Sequence, residues 1–148
     1  MKRNSRRASA ATFGATLAAR QVHPNARGDD ITAKLYSAFA DLKAGSTDDE
    51  LFDRLASTFN AALIRAESID ELCLAPLQDA ADALHRCDAI RGRHGRYGFD
   101  GPGLQAMAAG LEVCEEIIRN SSPKQMFDAF GESIARTYRQ REEAGTTA

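Results

Sequence analysis

The apolar positions of this chain recur at intervals of three and four, the spacing that lines one face of an α-helix. Ile31, Leu35, Phe39 and Leu42 form a first stripe, with Gly45 placed to end it. A second stripe of Leu51, Phe52, Leu55, Phe59, Ala62 and Leu63 has Asp49, Asp53, Arg54 and Arg65 on its outer side. Thr47 and Glu50 ahead of it have the spacing of a capping box, in which each side chain satisfies the other's exposed backbone donor. Ser68 and Glu71 repeat that spacing before a third stripe of Leu72, Leu77, Ala80, Leu84, Cys87 and Ile90. Pro76 inside this stripe predicts either a kink or a helix that starts near the proline. Pro102 suits a helical first turn, and Leu104, Met107, Ala108, Leu111, Cys114 and Ile118 follow it as a fourth stripe. Ser122, Pro123 and Gln125 then open a fifth helix through Met126, Phe127, Phe130, Ile134 and Tyr138, with fraying expected after Arg141.

Amphipathic helices joined by short connections bury their stripes against one another, so the predicted fold is all-α, an antiparallel bundle of about five helices over residues 29–143. Residues 1–28 hold few large apolar side chains and are read as a flexible basic tail, and residues 144–148 as a disordered one. Leu35, Phe39, Leu55, Phe59, Leu84, Leu111, Phe130 and Ile134 sit centrally on their stripes and are expected to be buried. Composition agrees with this reading: 148 residues suffice for one core, 43% are hydrophobic, and tryptophan is absent.

Charge divides the chain. Lys2, Arg3, Arg6, Arg7, Arg20 and Arg27 all precede the first acidic residue, Asp29, which leaves 13 basic against 21 acidic residues beyond it, a net of −8. The acidic body disfavours a broad nucleic-acid face, whereas Lys2, Arg3, Arg6 and Arg7 in the tail can meet phosphates. Arg6, Arg7 and Ser9 also have the spacing of a basic-directed phosphorylation site. The acid-free, Arg-rich start has the composition of an organellar transit peptide as well, but the primary expectation is a bacterial cytoplasmic protein. Cys73, Cys87 and Cys114 are odd in number and fall among apolar neighbours, which reads as reduced core thiols. No stretch reaches the ~18 to 20 apolar residues needed to cross a bilayer, and no membrane association is expected.

The segment from Arg91 to Gly103 departs from helical spacing and is read as a connector. Its arginines and glycines suit an anion or partner site, for which Arg91, Arg93, His94, Arg96 and Tyr97 are the candidate residues. The competing reading makes those arginines a complement to the negative helix end, with Tyr97 and Phe99 packed on the core. At least two of Arg91, Arg93 and Arg96 are expected to stay exposed. His85 and Cys87 lie two apart on a helix and point about 200° from each other, so they cannot share one metal ion. Glu112, Glu115 and Glu116 on the fourth helix, with Asp79 and Asp82 on the third, lack the Glu-x-x-His pairs of bundle metal centres. Neither a metal nor a cofactor is expected.

No convergent set of acid, base and nucleophile emerges, so the sequence favours a non-enzymatic protein-interaction or regulatory module. Its expected partner is another protein or a second copy of itself. The alternatives are a small anionic-ligand-binding protein or enzyme using residues 91–103, and nucleic-acid contact through the tail.

Overall fold

The computed structural model describes the backbone of residues 26–146 and the side chains from residue 30 onward. The described residues form five α-helices joined by short links, with one 3-10 turn and no strand: α1 (Ala26–Lys43), α2 (Asp49–Ile69), α3 (Leu74–His94), α4 (Gly101–Arg119) and α5 (Pro123–Thr146), the turn being Glu71–Cys73. No helix among these residues is long and apolar enough to cross a membrane. The proposed basic contacts Lys2, Arg3, Arg6 and Arg7 lie outside the described residues. Two boundaries differ from the pattern-based reading. The first helix starts at Ala26, inside the span assigned to the tail, and the last runs on to Thr146 rather than fraying after Arg141.

Helix starts are set by aspartates more than by the hydroxyl residues expected there. Asp48, not Thr47, caps α2 by accepting from the Glu50 amide at 2.9 Å, and the Ser46 hydroxyl accepts from Asp48 N at 3.1 Å. Ser68 is still within α2, and Asp70 instead caps the 3-10 turn by accepting from Leu72 N at 3.0 Å. That turn leaves Leu72 exposed rather than on the third stripe. Pro76 is the third residue of α3, where its missing N–H falls among donors that have no helical partner, so no kink is required. Asp100 caps α4 with Pro102 in its first turn. The Ser122–Gln125 box forms as expected, with reciprocal bonds of 2.9 and 3.0 Å.

The core runs through Leu35, Leu42, Leu55, Phe59, Leu77, Met107, Leu111, Ile117 and Ile118, all fully buried. Of the eight residues expected inside, Leu35, Leu55, Phe59, Leu84 and Leu111 are buried, and Phe39 and Phe130 are half-buried against the core. Ile134 is the exception at 59% exposed.

The α3–α4 pair is the most extensive helix contact, and it is built on small residues. A glycine inside a helix costs about 1 kcal/mol relative to alanine. At Gly110, however, an added Cβ would overlap Ala80 Cβ and stand 3.1 Å from Phe59 Cε1 and 3.3 Å from the Pro76 carbonyl. Close helix approach therefore outweighs propensity at this position. By contrast, α5 packs chiefly on α2, and two polar ties lie on the C-terminal third of α2. The Arg65 Nε donates to the Ser121 hydroxyl at 3.1 Å, and Arg136 forks onto Glu67 at 2.8 and 3.0 Å.

Candidate functional site

Two loops meet at one end of the molecule, the turn after α1 and the connector between α3 and α4. Gly45 takes a left-handed φ of 97°, which lets the chain reverse after Lys43 while its amide donates to the Leu42 carbonyl at 3.1 Å. Gly95 does the same at the end of α3 with φ 76°. Helix α3 thus includes Gly92, Arg93 and His94, and the connector is shorter than the sequence pattern suggests, residues 95–100. The loops are joined by a backbone bond from Tyr97 N to the Ser46 carbonyl at 3.0 Å.

Tyr97 is buried, and its ring stacks flat on Phe52 with centroids 5.0 Å apart and 4° between planes. Its hydroxyl donates to Asp49 Oδ1 at 2.7 Å, and Arg91 Nε donates to the same oxygen at 3.3 Å. Arg91 also donates to the Gly95 carbonyl at 2.7 Å and the Thr47 carbonyl at 3.5 Å. Phe99 meets Phe39 edge to face at 5.3 Å, so both connector aromatics pack inward. The Tyr97 hydroxyl, and after it Arg91, hold the Asp49 carboxyl below the usual aspartate range against the opposing effect of desolvation. Burial, then the hydrogen bond to Asp49, pushes the Tyr97 hydroxyl well above an ordinary phenol.

The five candidate residues of the connector do not converge on one place. Arg91 faces a groove of about 600 Å³ shared with Asp49, Asp53 and Asp88, and its Nε, Nη1 and Nη2 each donate inside the chain. Arg93 is exposed and lines neither groove, whereas His94 and Arg96 line a second one of about 750 Å³ with Lys43, Gly98 and Phe99. Tyr97 is the wall between the two grooves. Lys43 also stands over the Phe39 ring at 5.6 Å. Lys43, His94 and Arg96 form no ion pair among the described residues, so this groove is basic on an otherwise acidic body. Asp49, Phe52 and Lys43 carry no local signal of belonging here, because they flank the α1–α2 turn, more than 40 positions before the connector.

The three cysteines are free and buried. Burial pushes the Cys114 thiol up to about 12 and the Cys73 thiol up to about 11, values that keep both protonated and poorly nucleophilic at neutral pH. His85 is exposed while Cys87 is buried on the inner face of α3, so the two project into different surroundings. No group of three or more His, Cys, Asp or Glu side chains among the described residues is arranged to hold a metal ion.

A second surface lies on α5. Phe127 is 76% exposed, Ile134 59% and Tyr138 62%. At 100° per residue these three and Gly131 fall within a sector of about 60°, a continuous outward stripe. The buried residues Met126 and Ala129 occupy a different side of the same helix. Sequence reasoning placed the stripe inside, because large apolar residues at helical spacing ordinarily face a core. No family model, curated protein or solved structure shows a match to this chain.

Proposed function

We propose that this chain is a non-enzymatic protein-interaction module, an antiparallel helical bundle that regulates or scaffolds a partner through the outward stripe of α5. The observation that carries this reading is the alignment of Phe127, Ile134 and Tyr138, each more than half exposed, on one face of one helix. Scattered exposed apolar residues need no explanation, but an aligned set along a helix is what a helix-binding surface uses. The test is to place a photo-crosslinking amino acid at position 127 or 134 of the full chain in its native cell, with Gln105 on α4 as the control position. Protein adducts at the stripe and none at Gln105 are expected. Absence of any protein adduct at both stripe positions overturns the reading.

A second reading is favoured by the groove of Lys43, His94 and Arg96, where three unpaired basic side chains surround an open concavity beside Phe99. It makes the chain a binder of a small anion such as a phosphate ester or carboxylate. Titration with inorganic phosphate and with citrate, followed by amide shifts of residues 43–46 and 94–99, tests it. Shifts that vanish in Arg96→Ala with Lys43→Ala support the groove. Unchanged spectra at millimolar ligand rule it out.

A further inference from the structure

The geometry points to a second copy of this chain as the occupant of the α5 stripe, docked as a two-fold pair of antiparallel α5 helices. This rests on the reading of α5 as an interaction surface and names what covers it.

The stripe is complementary to itself. In a two-fold antiparallel pair, residue n of one helix faces residue n′ of the other with n + n′ constant, and each flank meets the same flank of its partner. A constant near 265 sets Phe127 against Tyr138 of the second copy and Gly131 against Ile134 of the second copy. Large then meets large at the ends, and the isoleucine sits over the glycine at the centre. An added Cβ at Gly131 meets nothing within 4 Å, so the space above it is open to receive that side chain.

The same register pairs the charges that flank the stripe. Lys124 and Glu142 lie together on one flank of the stripe, and Asp128 and Arg139 lie slightly further round that flank. Their sums, 266 and 267, bring Lys124 to Glu142 of the second copy and Asp128 to Arg139 of the second copy. Two-fold symmetry makes each pair twice, giving four opposite-charge contacts. Lys124, Asp128 and Glu142 have no ion-pair partner among the described residues, and Arg139 reaches Glu132 of its own helix at 2.9 Å from the side of the stripe. A parallel two-fold pairing would carry this flank to the opposite side of the partner and leave all four contacts unmade, so antiparallel is the favoured sense. Every residue from Thr137 to Thr146 is exposed, so the far half of α5 is free along its length to be covered.

Sedimentation equilibrium of the full chain from about 1 to about 200 µM, the span of a small non-obligate interface, reads the result directly. The mass should rise toward twice 16.0 kDa. Phe127→Asp and Ile134→Asp should each hold it at one chain, with far-UV circular dichroism confirming that both variants remain folded. Lys124→Glu should weaken association about tenfold, and Lys124→Glu combined with Glu142→Lys should restore it to within about twofold. A chain that is monomeric throughout overturns the second copy, as does a dimer indifferent to the two aspartate variants. A dimer lost in Phe127→Asp but not rescued by the charge exchange overturns the antiparallel register. Photo-crosslinks from position 127 to another protein alone remove the second copy while leaving α5 an interaction surface, whereas no crosslink at all removes both.

Discussion

The α3–α4 seam and α5 assign size to burial in opposite ways. In the seam the inward positions include Ala80, Ala83, Gly103 and Gly110, while on α5 the outward positions include Phe127, Ile134 and Tyr138. Two helices that approach closely have room only for small side chains between them, and the gain comes from dense contact along their length. A helix held largely by one neighbour buries a narrow stripe, here centred on Met126 and Ala129, and any apolar residue beyond that stripe is left facing outward. Residue type alone therefore does not locate the core of this molecule. The number of neighbours each helix has does.

The contrast is open to direct attack. Gly110→Val forces α3 and α4 apart, because Ala80 has no flexible end to move aside, and should destabilise the fold by roughly 3 kcal/mol in urea denaturation. A loss below about 1 kcal/mol would mean that the seam yields easily. Tyr97→Ala, at the end where the loops meet, removes the ring stacked on Phe52 and should cost about 2 to 3 kcal/mol in the same assay.

Tyr97→Phe keeps the ring and removes only the hydroxyl, so its effect is smaller and depends on pH. The Asp49 carboxyl is depressed in the fold, so its contribution is present above the ordinary aspartate value of 3.8 and is lost as pH falls through the lower folded value. With the leading cause of that depression gone, the urea midpoint of Tyr97→Phe should fall less steeply than that of the wild type between about pH 5 and pH 2. Parallel curves would show that Asp49 owes its low value to other groups. Smallest of all, Phe127→Ala measured at concentrations where the chain is monomeric should shift stability by less than about 0.5 kcal/mol, since an outward ring contributes little within one chain. A shift of 2 kcal/mol or more would place that ring in a core contact and end the contrast between the two regions.

Periodicity was enough to find the five α-helices of the described residues, since spacing of three and four survives whatever the helices pack against. It could not settle which residues face inward on α5. Met126, Phe127 and Phe130 offer two stripes some 60° to 100° apart, and only the position of α2 chooses between them. Caps were legible where a single candidate existed, as at Ser122 and Gln125, and were misplaced where an aspartate stood within two residues of a serine or threonine. A carboxylate at Asp48 or Asp70 accepts the same amide more strongly than a neighbouring hydroxyl. At the loop end, the connector's burial of Tyr97 and Phe99 and the exposure of Arg93 and Arg96 follow from composition and are present in the structure. The partners of Tyr97 were beyond reach, because Asp49 stands 48 positions away and nothing in its surroundings marks it.

That separation also bears on the order in which the molecule assembles. Across the α3–α4 seam Gly110 meets Ala80 and Pro76, 30 and 34 positions before it, whereas the bond between Tyr97 and Asp49 must close 48 positions. Closure entropy rises with loop length, and contacts near in sequence form earlier. The glycine seam is then expected to form ahead of the tyrosine clasp. Gly110→Ala should slow refolding, while Tyr97→Phe should leave refolding unchanged and hasten unfolding. Stopped-flow rates with the reverse assignment would make the loop end, not the seam, the place where this chain first acquires its shape.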